Sequence, residues 1–265
     1  MPIAFSTIGV ALVLTSIATA KEAVAAGQTE SLLRSKLGWS GRLIRSAPPR
    51  SRSQEDSAAE AVADRMLGAI GGRAAWAAVT STVNDSRQNR LTEPTVVRAV
   101  ITMDFTRRRF RIETTGPALH LIRVIDGERH WRLNRQGVIE AVPPTVLAED
   151  REWYAGHVYR TIHRIAARDR AIQLRLSDRE RLEVHEAGAR IAWFALDARG
   201  EPYAFGAHGD NIGSICGPWT VERDGIKHPA WVARPDGSWR AALLDLSVNV
   251  ELADSVFVPP AGRNR

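Results

Sequence analysis

Between residues 96 and 133 the chain reads VVRAVITMDFTRRRFRIETTGPALHLIRVIDGERHWRL, and apolar residues return at every second position. Val97, Ala99, Ile101, Met103 and Phe105 share one parity, followed by Phe110 and Ile112, then Leu119, Leu121 and Ile125, then Trp131 and Leu133. A period of two belongs to β-strands, whose successive side chains point to opposite faces, and it excludes a helix here. Arg98, Thr102, Asp104, Arg109, Arg111 and Glu113 take the other parity, which predicts a solvated strand face. Asp126-Gly127 sits between two such runs and marks a hairpin, because a type I′ turn needs positive φ at both central residues. Four successive antiparallel strands are therefore expected.

The flanking sequence supplies helices and more strands. Ser57 and Glu60 have capping-box spacing, and Val62, Met66, Ala69 and Ile70 follow at helical period up to Gly71-Gly72. A short helix carrying Trp76 comes next, and the four strands are read as following it directly. After a short strand at 138–142, Pro143-Pro144 opens one helix running to about residue 168. Tyr154, Val158, Ile162 and Ile165 form its apolar stripe, while His157, Arg160, Arg164 and Arg168 line a face read as solvated. Alternating strands resume at 172–176, 181–186, 190–196 and 201–205, and a glycine-rich loop spans 208–218. Two further hairpins and a long last strand, with Leu244, Leu246, Val248, Val250 and Leu252 in alternation, complete the pattern. The fold class is α+β and strand-dominated: a single curved antiparallel sheet packed on an N-terminal helix and one inserted helix.

Residues 3–20 form an uncharged, largely apolar run ending Ala18-Thr19-Ala20, and a second small-residue site follows at Val24-Ala25-Ala26. This has the pattern of a secretory signal peptide, so 1–26 is read as a leader and the protein as exported to the periplasm or cell envelope. Residues 27–56 read as a basic Ser/Arg/Pro-rich linker, either plainly solvated or making peripheral contact with anionic headgroups. The domain is expected over 57–260, with a fraying tail at 261–265. Half of the net charge of +6 falls in the first 56 residues, leaving a nearly neutral body that makes a poor nucleic-acid surface. Cys216 is the single cysteine, so an intramolecular disulfide is excluded, and it is read as a small buried residue.

Signals for catalysis are absent. His157 and His163 project about 240° apart on one helix and cannot share a metal. In Gly213-Ser214-Ile215-Cys216-Gly217 the central position, which a nucleophile elbow requires to be nucleophilic, is Ile215. Glu149, Asp150 and Glu152 are explained by the favourable dipole near a helix start. Catalytic residues, metal sites and cofactors are therefore expected to be none. Trp131, Trp193, Trp231 and Trp239 lie in expected strands, where each either lines an apolar cavity or packs the core.

An Ala-rich helix ending in Gly-Gly, the strand pair from Met103-Asp104-Phe105 to Phe110-Arg111-Ile112-Glu113, the Asp126-Gly127-x-x-x-Trp131 hairpin and a C-terminal Val248-Asn249-Val250-x-Leu252-x-Asp254-x-x-Phe257-x-Pro259-Pro260 resemble the periplasmic lipoprotein-sorting and carrier-like superfamily. That resemblance spans roughly 57–260 and implies a half-open β-barrel over helices, with an apolar cavity for lipid or acyl chains. The expectation is a monomeric, non-enzymatic binding protein whose partner is a lipid, acyl chain or lipoprotein. The cavity would be lined by the inward parity: Ile101, Met103, Phe105, Phe110, Ile112, Leu121 and Trp131, joined by Trp193. The alternatives are an envelope interaction module with a filled core and, behind it, a hydrolase.

Overall fold

The alternation from Val96 onward does produce four consecutive strands, and they form one arm of a larger sheet. The computed structural model describes residues 52–90, 93–177 and 181–260. In chain order the elements are α1 (Arg52–Ala69), α2 (Arg73–Ala77), β1 (Ser81–Arg90), β2 (Glu93–Asp104), β3 (Arg109–Gly116), β4 (Leu119–Asp126), β5 (Arg129–Leu133) and β6 (Ile139–Glu140). Then come α3 (Pro144–Ala155), α4 (Val158–Ala166), β7 (Ile172–Leu176), β8 (Leu182–Glu186), β9 (Ala189–Leu196), β10 (Pro202–Ala207) and β11 (Ser214–Cys216). The small β12 (Val221–Arg223) and β13 (Ile226–His228), then β14 (Trp231–Ala233), β15 (Trp239–Val248) and a 3-10 turn (Asp254–Val256) follow.

Thirteen strands make one antiparallel sheet in the order β6-β5-β4-β3-β2-β1-β15-β14-β11-β10-β9-β8-β7, and β12–β13 form a separate pair. The sheet is curved and does not close, a half-barrel with four α-helices among the described residues. Its first arm is the meander β1–β6, its second the strands β7–β11 and β14, and β15 joins them by pairing with β1. Helix α1 lies against β7 and β8, and α4 packs on α2 and β10.

Several features depart from the sequence reading. First, α1 begins at Arg52, inside the stretch expected as linker, so Ser57 and Glu60 do not mark its start. Ala59, Ala63, Met66 and Leu67 form its buried side, and Ile70 just beyond its end is buried with them. Second, β1 was not expected: its sequence, STVNDSRQNR, lacks an apolar period, yet Thr82, Asn84, Ser86 and Gln88 are all buried at the middle of the sheet. Third, the helix expected from Pro143 to about residue 168 is two helices. Gly156 approaches the Ile191 carbonyl and Ala207 so closely that a side chain there would collide with backbone, and the chain turns into α4 at His157. The basic stripe on α4 is not solvated either: Arg160 and Arg164 are buried, and Arg164 pairs with Asp169 at 2.6 Å and Glu186 at 2.5 Å. The expected leader and tail lie outside the described residues, as does all of the linker before Arg52.

Candidate functional site

Register decides which side chains share a face. Thr82 lies opposite Met103 and Met103 opposite Phe110; Asn84 lies opposite Ile101 and Ile101 opposite Ile112. On the next strand Ile125 faces Phe110, Arg123 faces Ile112 and Leu121 faces Thr114. This is the helix-covered, inner face: Tyr154 of α3 stacks on Phe110 at 5.2 Å, Trp153 meets the same ring edge-on at 5.4 Å, and Phe105 lies 5.2 Å from His163 of α4. Six of the eight expected cavity residues, Ile101, Met103, Phe105, Phe110, Ile112 and Leu121, are thus on the helix side.

Trp131 and Trp193 are not. A two-residue turn pairs Asp126 with Arg129, so odd-numbered residues of β4 face even-numbered ones of β5, and Trp131 lies opposite Val124 on the outer face. It packs there with Ile122, Val124 and Phe257, and its indole N–H donates to the Phe257 carbonyl at 2.8 Å. Trp193 pairs with Gly206 and clusters with Ala195 and Ala204 on the same outer face, under the loop 207–213, where its N–H donates to the Asp210 carbonyl at 2.6 Å.

The inner face of the first arm has two unlike ends. Near the β2–β3 turn it is filled: Met103 and Phe110 are buried under the α3 aromatics, and the Tyr154 hydroxyl donates to the Asp104 carbonyl at 3.0 Å. Burial pushes that hydroxyl up to about 12. At the opposite strand ends Val97, Leu119, Leu121 and Trp239 are only half-buried, as are Val146 and Leu147 at the start of α3. Ile101, Ile112 and Ala99 connect the two ends as one buried apolar strip.

Polar groups interrupt that strip. Arg123 reaches Asp150 of α3 at 3.0 Å, and beside it Arg132 pairs with Glu140 at 2.5 Å. Asp150 is 5% exposed, and its Oδ2 has no hydrogen-bond partner among the described residues. Burial raises its carboxyl to about 6, with Arg123 opposing the shift and Glu149 adding to it. Asp150 lies beyond the first turn of α3, on the side of the helix that carries Tyr154, so dipole stabilisation at the helix start does not account for it. On β1, Gln88 donates to Ser86 at 3.1 Å and Ser86 to the Ala99 carbonyl at 3.3 Å, whereas Thr82 Oγ1 and Asn84 Nδ2 have no partner. Sequence reading missed this polar ladder, because nothing in STVNDSRQNR signals burial.

Cys216 and His157 each contact the backbone. The Cys216 thiol donates to the Pro202 carbonyl at 3.1 Å, and burial pushes it up to about 12. His157 caps α4 by accepting from the Tyr159 N–H at 3.3 Å, and burial together with Arg160 lowers it to about 3. Among the described residues, no group of three or more side chains could hold a metal.

No protein-family model matches the chain. No curated protein matches it either. Among solved structures it is similar to the crystal structure of a DUF1329 family protein from Desulfovibrio piger, at 9% identity and a TM-score of 0.37, over 77% of this chain and 97% of that one.

The outer face is completed by the C-terminal segment. Arg109, expected on a solvated face, is 2% exposed in its side chain, pairing with Asp104 at 2.9 Å and Asp254 at 2.8 Å. Its guanidinium lies 4.1 Å from the centre of the Phe257 ring, and Arg107 also pairs with Asp254. Burial pushes the Asp104 carboxyl up, but hydrogen bonds from Thr106, the Arg107 backbone and Arg109 outweigh it and hold the group below its usual range.

Proposed function

We propose that this protein is a non-enzymatic component of the cell envelope that holds a lipid, an acyl chain or the lipid portion of a lipoprotein against the inner face of its half-barrel. The observation that carries this reading is the half-buried apolar end formed by Val97, Leu119, Leu121 and Trp239, continuous with the buried strip at Ala99, Ile101 and Ile112. An acyl chain entering there gains roughly 25 cal/mol for each Å² of apolar surface taken from water, so useful affinity needs few polar contacts. The resemblance to lipoprotein carriers and the leader-like N-terminus support the same reading and the periplasmic location it requires.

Uptake of a fluorescent fatty acid, followed through quenching of the tryptophans, tests it. Wild-type protein should bind, and Leu121→Asp should abolish binding while keeping the fold, because Leu121 is half-buried and a charge there faces the ligand first. The packing of Tyr154 and Trp153 against Phe110 favours a second reading, an envelope interaction module with a filled core. A well-folded wild type that takes up no ligand decides for that one.

A further inference from the structure

The buried pair between β4 and α3 leaves one oxygen without a bond. Arg123 stands on the inner face opposite Ile112, one row from Leu121 and Phe110, and it engages Oδ1 of Asp150 at 3.0 Å. Oδ2 of the same carboxylate is buried with no partner among the described residues. His130, opposite Ile125 on the adjoining strand, likewise has its Nδ1 buried with no partner. A buried acceptor with nothing to accept is costly, the more so when it is charged, so the arrangement is stabilised by whatever supplies a donor. The Arg123 charge is already balanced by Asp150, and that of Arg132 by Glu140, so this corner offers an acceptor and little net positive charge.

We infer that the inner face reads the head of its ligand through Asp150, and that the preferred occupant is an acyl chain ending in a neutral hydrogen-bond donor rather than in a bare carboxylate. This rests on the proposed carrier function and adds the class of head group. A hydroxyl or an amide N–H completes Oδ2. A ligand carboxylate brings a second negative charge to the same oxygen and finds Arg123 already engaged. A hydrogen bond to a charged acceptor in a buried site is worth about tenfold or more in affinity.

The test measures binding of three C18 probes at pH 7.5 by tryptophan quenching: 1-monooleoylglycerol, methyl oleate and oleate. Wild-type protein should bind monooleoylglycerol about tenfold more tightly than methyl oleate, which lacks the donor, and oleate weakest of all. Asp150→Asn, which removes the negative charge and leaves Arg123 to the ligand, should reverse the order of monooleoylglycerol and oleate. Equal affinities in the wild type, or an Asp150→Asn variant with the wild-type order, overturn the inference while leaving the carrier function standing. Binding of none of the three probes removes both. If Asp150→Asn does not fold, the wild-type order alone decides.

Discussion

In the first arm the two faces of the sheet bury polar groups differently. On the outer face of the first arm Arg109 meets two carboxylates and an aromatic ring, and Asp104 receives hydrogen bonds from Thr106, Arg107 and Arg109. The loop 207–213 does the same for the second arm. Asp210 accepts from the backbones of Ile212 and Gly213 and from Arg234, and Arg181 lies 3.9 Å from the centre of the Trp193 ring. On the inner face Asp150 Oδ2, Thr82 Oγ1 and Asn84 Nδ2 are buried and unanswered. A completed network is a structural device, and each unanswered group calls for a hydrogen-bond partner from outside it, bound water included.

The sharpest way to break the outer face is Arg109→Ala. Removing one partner of a buried ion pair leaves Asp104 charged and partly desolvated, and the C-terminal segment loses its hold at Asp254 and Phe257. A loss of about 3–5 kcal/mol is expected, read as a shift in urea midpoint. A loss under about 1 kcal/mol would mean that the segment does not depend on Arg109. Next in size is Gly206→Ala in the second arm. A methyl group at Gly206 collides with the Trp193 indole, which is held by the Asp210 carbonyl, so overpacking should cost about 1–3 kcal/mol and change the tryptophan emission.

Acid distinguishes the faces by sign. Asp104 is held below its ordinary value, so its stabilisation is present above that value and is lost as pH falls through the lower native one. Asp150 is raised to about 6, so from above that pH down toward 4 the native state takes up a proton that the unfolded chain does not, and stability rises as pH falls. His157, lowered to about 3, works against folding below its ordinary value, but it does so equally in wild type and in Asp150→Asn. The stability of the wild type relative to Asp150→Asn should therefore rise by about 1 kcal/mol between pH 7 and pH 5. Chemical denaturation at the two pH values measures it, and a difference that does not change with pH would place Asp150 in water.

The same contrast explains what could be read from the residues alone. The four strands after β1 and the curved antiparallel sheet were legible because Ile101, Met103, Phe110 and Ile112 alternate with polar neighbours, and such a pattern suits one buried face. The placement of Trp131 was not, because numerical parity reverses across each two-residue turn and only the Asp126–Arg129 pairing fixes it. Arg109 read as solvated because its cover, Asp254 and Phe257, comes from a segment far along the chain. Strand β1 stayed hidden for the reason that makes the inner face unusual: its buried residues are Thr82, Asn84, Ser86 and Gln88. Binary patterning does not anticipate a buried strand whose inner side is polar. The Asp150 site escaped notice because three acidic residues near a helix start already have an ordinary explanation, and only the third dimension shows that one of them faces the sheet.

The smallest expected effect bears most directly on whether the inner face is incomplete. Thr82 is fully buried, opposite Met103 on one side and Val248 on the other, and its hydroxyl has no partner. Thr82→Val keeps the branched shape and β-propensity and replaces the hydroxyl with a methyl group. Where a hydroxyl is satisfied, that exchange costs about 1 kcal/mol or more; where it is buried and unsatisfied, the exchange is neutral or stabilises by up to about 1 kcal/mol. Ser86 supplies the internal control, because its hydroxyl donates to the Ala99 carbonyl and accepts from Gln88, so Ser86→Ala should destabilise. Urea denaturation of the two variants is expected to give opposite signs. If Thr82→Val destabilises as much as Ser86→Ala, its hydroxyl is completed by bound water, and the distinction between a finished outer face and an unfinished inner one fails on β1.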